Sequence, residues 1–185
     1  MKPAAPFGLA AALAGCAATG SDVAALERTL GAHASATAAL EQWCAARGFS
    51  RAPTITATLI AGLAPAPPPD LRARLEVGAD EPLGYRHVRL TCGDRTLSVA
   101  HNWFVRARLT PSMNALLDTA DTPFGKVAAP MGFTRETLDI RHGGEPGCPA
   151  GTVLSQVAML RLPDGKPLAF LTECYTRATI ASDRH

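Results

Sequence analysis

A chain of 185 residues with 47% hydrophobic and 18% charged side chains has the apolar surface for one sizeable core and too much of it to remain disordered. The formal charge is only +2 and the arginines are scattered rather than gathered on one stripe, which argues against nucleic acid as a partner. Beyond the first residues, no run reaches the roughly 18 apolar residues of a spanning helix.

At the N-terminus, Lys2 precedes a stretch at 4–15 made almost wholly of Ala, Leu, Gly, Phe and Pro, which ends in LAGC, Leu13 to Cys16. A short apolar region closed by small residues has the form of a secretory signal rather than a membrane span. LAGC resembles the lipobox of bacterial lipoproteins. That resemblance implies cleavage before Cys16, a diacylglycerol on its sulfur, and ATGSD (18–22) as a polar tether on an exported, membrane-anchored protein. The alternative is a chance alanine-rich extension on a cytoplasmic protein. The expected organisation is a signal segment at 1–15, tether and first helix at 16–34, one domain at 35–178 and a tail at 179–185.

Helical spacing of Val23, Leu26 and Leu30, and then of Leu40, Trp43 and Cys44, predicts helices over 21–30 and 35–48, with Ser21 and Ser35 as N-caps and Gly48 as terminator. The β-branched run TITATLIAGL predicts a strand near 54–62. APAPPP (64–69) cannot join a sheet and leads as a loop into a helical turn at DLRARLE. Two hairpins follow, over 84–92 with 95–105 and over 153–162 with 167–177. Gly93-Asp94 closes the first as a two-residue turn, which pairs Arg86 with His101 and sets His87 and His101 on opposite sides. Asp164-Gly165 closes the second and pairs Glu173 with Gln156. Between them come a helix near 111–118, the loop DTPFGK, a strand at 136–141, and the Gly/Pro-rich loop 142–151, expected to be mobile. The fold class is α+β, a six-stranded, mostly antiparallel sheet with helices packed on one face.

Two charges interrupt this pattern. Arg86 alternates with Val88 and Leu90, and Glu173 shares its face with Ala169, Leu171 and Tyr175. A buried charge needs a partner or a ligand, so these two either pair with each other or hold something. A carboxyl on an apolar face is also expected to titrate high.

The stretch HNWFVRARLTPSMNALLDTADTPFGKVAAPMGFTRETL (101–138) resembles bacterial chorismate lyase, and the order of parts agrees across 35–177. An arginine opens a hairpin, TPFG is followed by TRE, and KPLAFLTE closes the sheet. The resemblance implies conversion of chorismate to 4-hydroxybenzoate and pyruvate, with no cofactor, or retention of the pocket by a non-catalytic, lipid-anchored binding protein. Carried onto matching positions, it implies that Arg86 grips the ring carboxylate, Phe124 and Gly125 line the aromatic pocket, and Glu173 meets the far end of the ligand as an acid. Arg135 matches a family position too, against an ion pair with Glu136 or Asp139. The family's second arginine is replaced by Asn102, with Arg106 four residues on. Its flap methionine aligns near Ala36. The expected partner is a small aromatic carboxylate, bound by a monomer. The effector domains of some bacterial transcription regulators share this fold, but the sequence carries no DNA-binding segment.

Four cysteines other than Cys16 permit two disulfides in three connectivities, or buried thiols. No Cys/His spacing suggests zinc, and no metal is expected.

Overall fold

The computed structural model describes residues 11–62 and 66–181, with side chains from Gly20 onward. Most of the signal segment, part of the proline-rich loop (63–65), the end of the tail (182–185) and the Cys16 side chain lie outside the described residues. The first helix, α1 (Ala11–Gly31), is longer than the spacing of its apolar residues predicts. Its backbone runs through Cys16 and the ATGSD stretch, so Ser21 is not its N-cap. The alanines before it are strong helix formers and no proline interrupts them, so the helix runs through Gly15 and Gly20. Helix α2 (Ala36–Arg47) is bounded as expected: the Ser35 hydroxyl accepts from the Thr37 amide at 3.2 Å, and Gly48 ends it at φ 65°.

Six strands form one sheet: β1 (Ile55–Leu59), β2 (Leu83–Cys92), β3 (Arg95–Val105), β4 (Thr134–His142), β5 (Thr152–Arg161) and β6 (Pro167–Thr176). Their order is β1-β2-β3-β6-β5-β4, and every pairing is antiparallel. Helix α4 (Pro111–Thr119) and the short α5 (Phe124–Ala128), which occupies the expected DTPFGK loop, join α1 and α2 on one face. That face carries two apolar clusters. Leu26, Leu30, Leu40 and Trp43 pack on Val88, Leu154 and Tyr175, while Leu117, Phe124 and Phe133 pack on Phe104, Leu160 and Leu171. The opposite face is covered as well, by Leu71 of the α3 turn (Leu71–Arg74) and Leu75 that caps it, over Trp103, Met159 and Phe170.

Glu173 pairs with Gln156 as expected, though not by the expected two-residue turn: Leu162 and Lys166 close a longer turn with Arg161 opposite Pro167, and a register shift between Leu160 and Arg161 restores the pairing. The first hairpin departs by one residue. Thr91 faces Thr96 but Leu90 faces Ser98, so Leu97 is a bulge and every later pairing shifts. Arg86 therefore faces Asn102, not His101. His87 and His101 are direct partners on one face, with rings stacked 4.2 Å apart, where opposite sides were expected. Burial pushes both imidazole pKa values down. Among the described residues no group of three or more His, Cys, Asp or Glu is placed to hold a metal.

The two disulfides are Cys44–Cys92, joining α2 to β2, and Cys148–Cys174, joining the 142–151 loop to β6. The loop expected to be mobile is thus tied to the sheet.

Candidate functional site

Alternation delivers a set of polar side chains to the helix-covered face of the central strands: Arg86 from β2, Asn102 from β3, Glu173 from β6, Gln156 from β5 and Arg135 from β4. Over them sits a cavity floored by Leu90, Ala100, Asn102, Leu171 and Glu173. Its roof includes Ser35 and Thr37 at the start of α2 and Phe124 and Gly125 at the start of α5. Phe133, Leu160 and Arg135 close one side, and Ala36, where the lyase methionine aligns, lines it too. The cavity holds about 380 Å³ of empty space but is narrow, admitting the centre of a water-sized sphere over only about 30 Å³.

Arg135 is buried and does not pair with Glu136 or Asp139, which bond to Arg161 and Arg141 instead. Its guanidinium reaches over β5 to Glu173, with Nη2 at 2.5 Å from Oε2 and Nη1 at 3.3 Å from Oε1. Nη2 also donates to Gln156 Oε1 at 2.9 Å. The Tyr175 hydroxyl donates to Glu173 Oε2 at 3.0 Å. Burial, the largest single influence, lowers the Arg135 pKa, but the Glu173 charge, Tyr175 and the hydrogen bonds to Glu173 together outweigh it and the net shift is upward. The Tyr175 phenol is pushed well up, by burial first and then by that same charge. Glu173 is therefore no isolated carboxyl, and its ion-pair partner is Arg135, not Arg86.

Arg86, 3% exposed, is not among the residues lining the cavity, though it lies beside Asn102 at its floor. Nη1 donates to the Thr122 carbonyl at 3.0 Å and Nη2 to that of Ala120 at 3.2 Å. It thus anchors the loop that sets Phe124 and Gly125 in the roof, which β1 also grips through Ala57 N–H to the Asp121 carbonyl at 2.9 Å. Burial lowers the Arg86 pKa, and the charges of Asp118 and Asp121 oppose that shift. Its Nε is a buried donor with no partner among the described residues. Asn102, 6% exposed, makes no side-chain hydrogen bond among them either. Arg106 is committed to Asp118 by two bonds of 2.9 and 2.7 Å and does not line the cavity.

Gly125 is needed where it stands. A Cβ there would lie 2.1 Å from the Ser35 hydroxyl and 3.0 Å from that of Thr37, so only glycine lets α5 touch the start of α2. Of the residues marked in the sequence, the structure brings Phe124, Gly125, Arg135 and Glu173 together around one cavity and leaves Arg86 at its margin. Sequence reasoning missed the cavity roles of Ser35 and Thr37. Asn102 it marks only as the residue that replaces the family's second arginine, and the structure puts it on the cavity floor.

No family model matches the chain. The uncharacterized protein y4mC of Sinorhizobium fredii is 37% identical over 170 residues, spanning 82% of this chain and 72% of that protein. The chain belongs to the family of y4mC. Among solved structures, the effector domain of PhnF from Mycobacterium smegmatis superposes with a TM-score of 0.53 at 15% identity, covering 78% of this chain and 89% of that one. The longer PhnF structure gives 0.54, again at 15% identity, over 83% of this chain and 69% of PhnF. The chain also spans 62% of the possible transcriptional regulator YydK from Bacillus subtilis, and 71% of its own length is covered, with a TM-score of 0.47 and 16% identity. At these identities the likeness concerns the fold, which is the α+β effector-domain fold related to that of chorismate lyase.

Proposed function

We propose that the chain is a ligand-binding domain that holds a small aromatic carboxylate in this cavity and binds it without converting it. The observation that carries the reading is a buried donor without a partner, Arg86 Nε on β2, beside the Asn102 amide on β3, which makes no side-chain hydrogen bond among the described residues and lines the cavity. Buried polar groups are nearly always hydrogen-bonded, so the exception at Arg86, next to that amide, supports a missing acceptor there. Arg135 is ion-paired with Glu173, whereas Arg86 hydrogen-bonds only backbone carbonyls and feels Asp118 and Asp121 at longer range, so the cation without a carboxylate contact lies at the Asn102 end. A carboxylate there accepts from both groups, and its ring rests between Phe124 and Leu171. The effector-domain fold of PhnF is consistent with a binding role.

Lyase chemistry is the weaker alternative. Both Glu173 oxygens are engaged, by Arg135 and Tyr175, and both Arg86 terminal nitrogens hold the roof loop. Calorimetry is expected to give saturable one-to-one binding of 4-hydroxybenzoate, and incubation with chorismate to release no pyruvate. No binding of either compound would sink the proposal, and pyruvate release would restore the lyase.

The same reading places the protein on a membrane through a lipid on Cys16. Its support is redox compartment: the four other cysteines form two disulfides, as in exported proteins. No helix among the described residues is long and apolar enough to cross a membrane, so the anchor would be the acyl chains, at about 0.8 kcal/mol per buried CH₂. Labelled fatty acid is expected in the wild type and absent in Cys16→Ser, which should also leave the membrane fraction. An unlabelled, soluble wild type would remove the lipoprotein assignment.

A further inference from the structure

Outside the cavity, between α2 and α5, lies an open groove of about 620 Å³ that shares four residues with it: Ser35, Thr37, Gly125 and Phe133. These four form a neck between the two spaces, narrowed where Gly125 packs on Ser35. Beyond the neck the groove is walled by Ala34, Ala38, Ala129 and the Phe133 ring. Its polar side chains are already satisfied within the protein. His33 Nδ1 bonds the Thr29 carbonyl at 2.8 Å. Lys126 Nζ meets Glu41 Oε1 at 2.5 Å, and that same oxygen accepts from the Ile55 amide at 3.1 Å. The groove therefore offers a ligand apolar surface and no free charge. At the neck itself, the Thr37 hydroxyl makes no hydrogen bond among the described residues, and Thr37 lines both spaces.

We infer that this groove is a second subsite of the same ligand site, taking a hydrocarbon substituent of the aromatic carboxylate, with Thr37 donating to the oxygen that joins substituent to ring. The inference rests on the cavity holding the carboxylate ring, as proposed above. The ligand is then an alkoxy- or similarly substituted benzoate, with its charged end inside and its apolar arm reaching out through the neck. Burying each added methylene in such a groove tightens binding roughly two- to fourfold.

The test is a titration series on the full chain: 4-hydroxybenzoate, then benzoates with ethoxy and butoxy chains at the meta or para carbon. Affinity is expected to rise with chain length at one of the two positions. Ala38→Trp and, separately, Ala129→Trp fill the groove from its two walls at exposed positions. Each should return the butoxy compound to the affinity of 4-hydroxybenzoate while leaving the latter unchanged. The subsite is overturned if 4-hydroxybenzoate binds and the butoxy chains add nothing, or if their gain survives both tryptophans. Failure of every benzoate to bind overturns the cavity reading beneath it, so the two failures are distinguishable.

Discussion

Replacing Arg135 with Met should cost about 3–5 kcal/mol of stability, among the largest losses available to a single change in this chain. The two side chains are each only 5% exposed, so the variant leaves the Glu173 carboxylate buried with Tyr175 as its remaining close donor. Glu173→Leu is expected to cost a similar amount, because it strands the guanidinium. The double variant removes both charges, and with them the desolvation that each single variant leaves uncompensated. It should therefore recover most of the loss, giving a large coupling energy in the cycle. Urea unfolding with both disulfides intact measures all four proteins. Singles that cost under about 1 kcal/mol, or a double no more stable than the worse single, would show that the pair is not the buried couple drawn here.

That couple also shows where the sequence stops being informative. Alternation is enough to isolate Arg86 and Glu173 as charges on apolar faces, because period-2 patterning is local. The Asp164-Gly165 turn is longer than two residues, and Glu173 still meets Gln156 because a register shift between Leu160 and Arg161 offsets the extra residue. The bulge at Leu97 was not legible, because neither glycine nor proline marks it, and it moved Arg86 from His101 to Asn102. Nor was the partner of Arg135. Its neighbours in sequence, Glu136 and Asp139, were the natural candidates, yet the strand order places β6 two strands away and a long side chain bridges β5. The cavity roof was half visible. TPFG was marked as a wall and Ser35 as a cap, but their contact across Gly125 belongs to the packing of α2 on α5, which no spacing encodes.

Arg86→Lys should abolish most ligand affinity, by tenfold or more, although it keeps the charge. One ammonium on a flexible stem cannot hold the carbonyls of Ala120 and Thr122 at 3.2 and 3.0 Å and also present a donor beside Asn102. Arg86→Ala should go further. It leaves two carbonyls without their charged donor, at roughly 1.5–3 kcal/mol for each such bond, and frees the loop that carries Phe124 and Gly125. Two measurements separate the roles of this side chain. Hydrogen exchange over 119–125 reports the hold on the roof loop, and calorimetry with 4-hydroxybenzoate reports binding. Loss of affinity with loop protection intact in the lysine variant would mean that Arg86 meets the carboxylate directly. Loss of both together would mean that it acts by positioning the roof. Affinity unchanged in both variants would remove Arg86 from the site, and with it the reason for expecting an acidic ligand, because among the described residues no other cation bordering the cavity floor is free of a carboxylate partner.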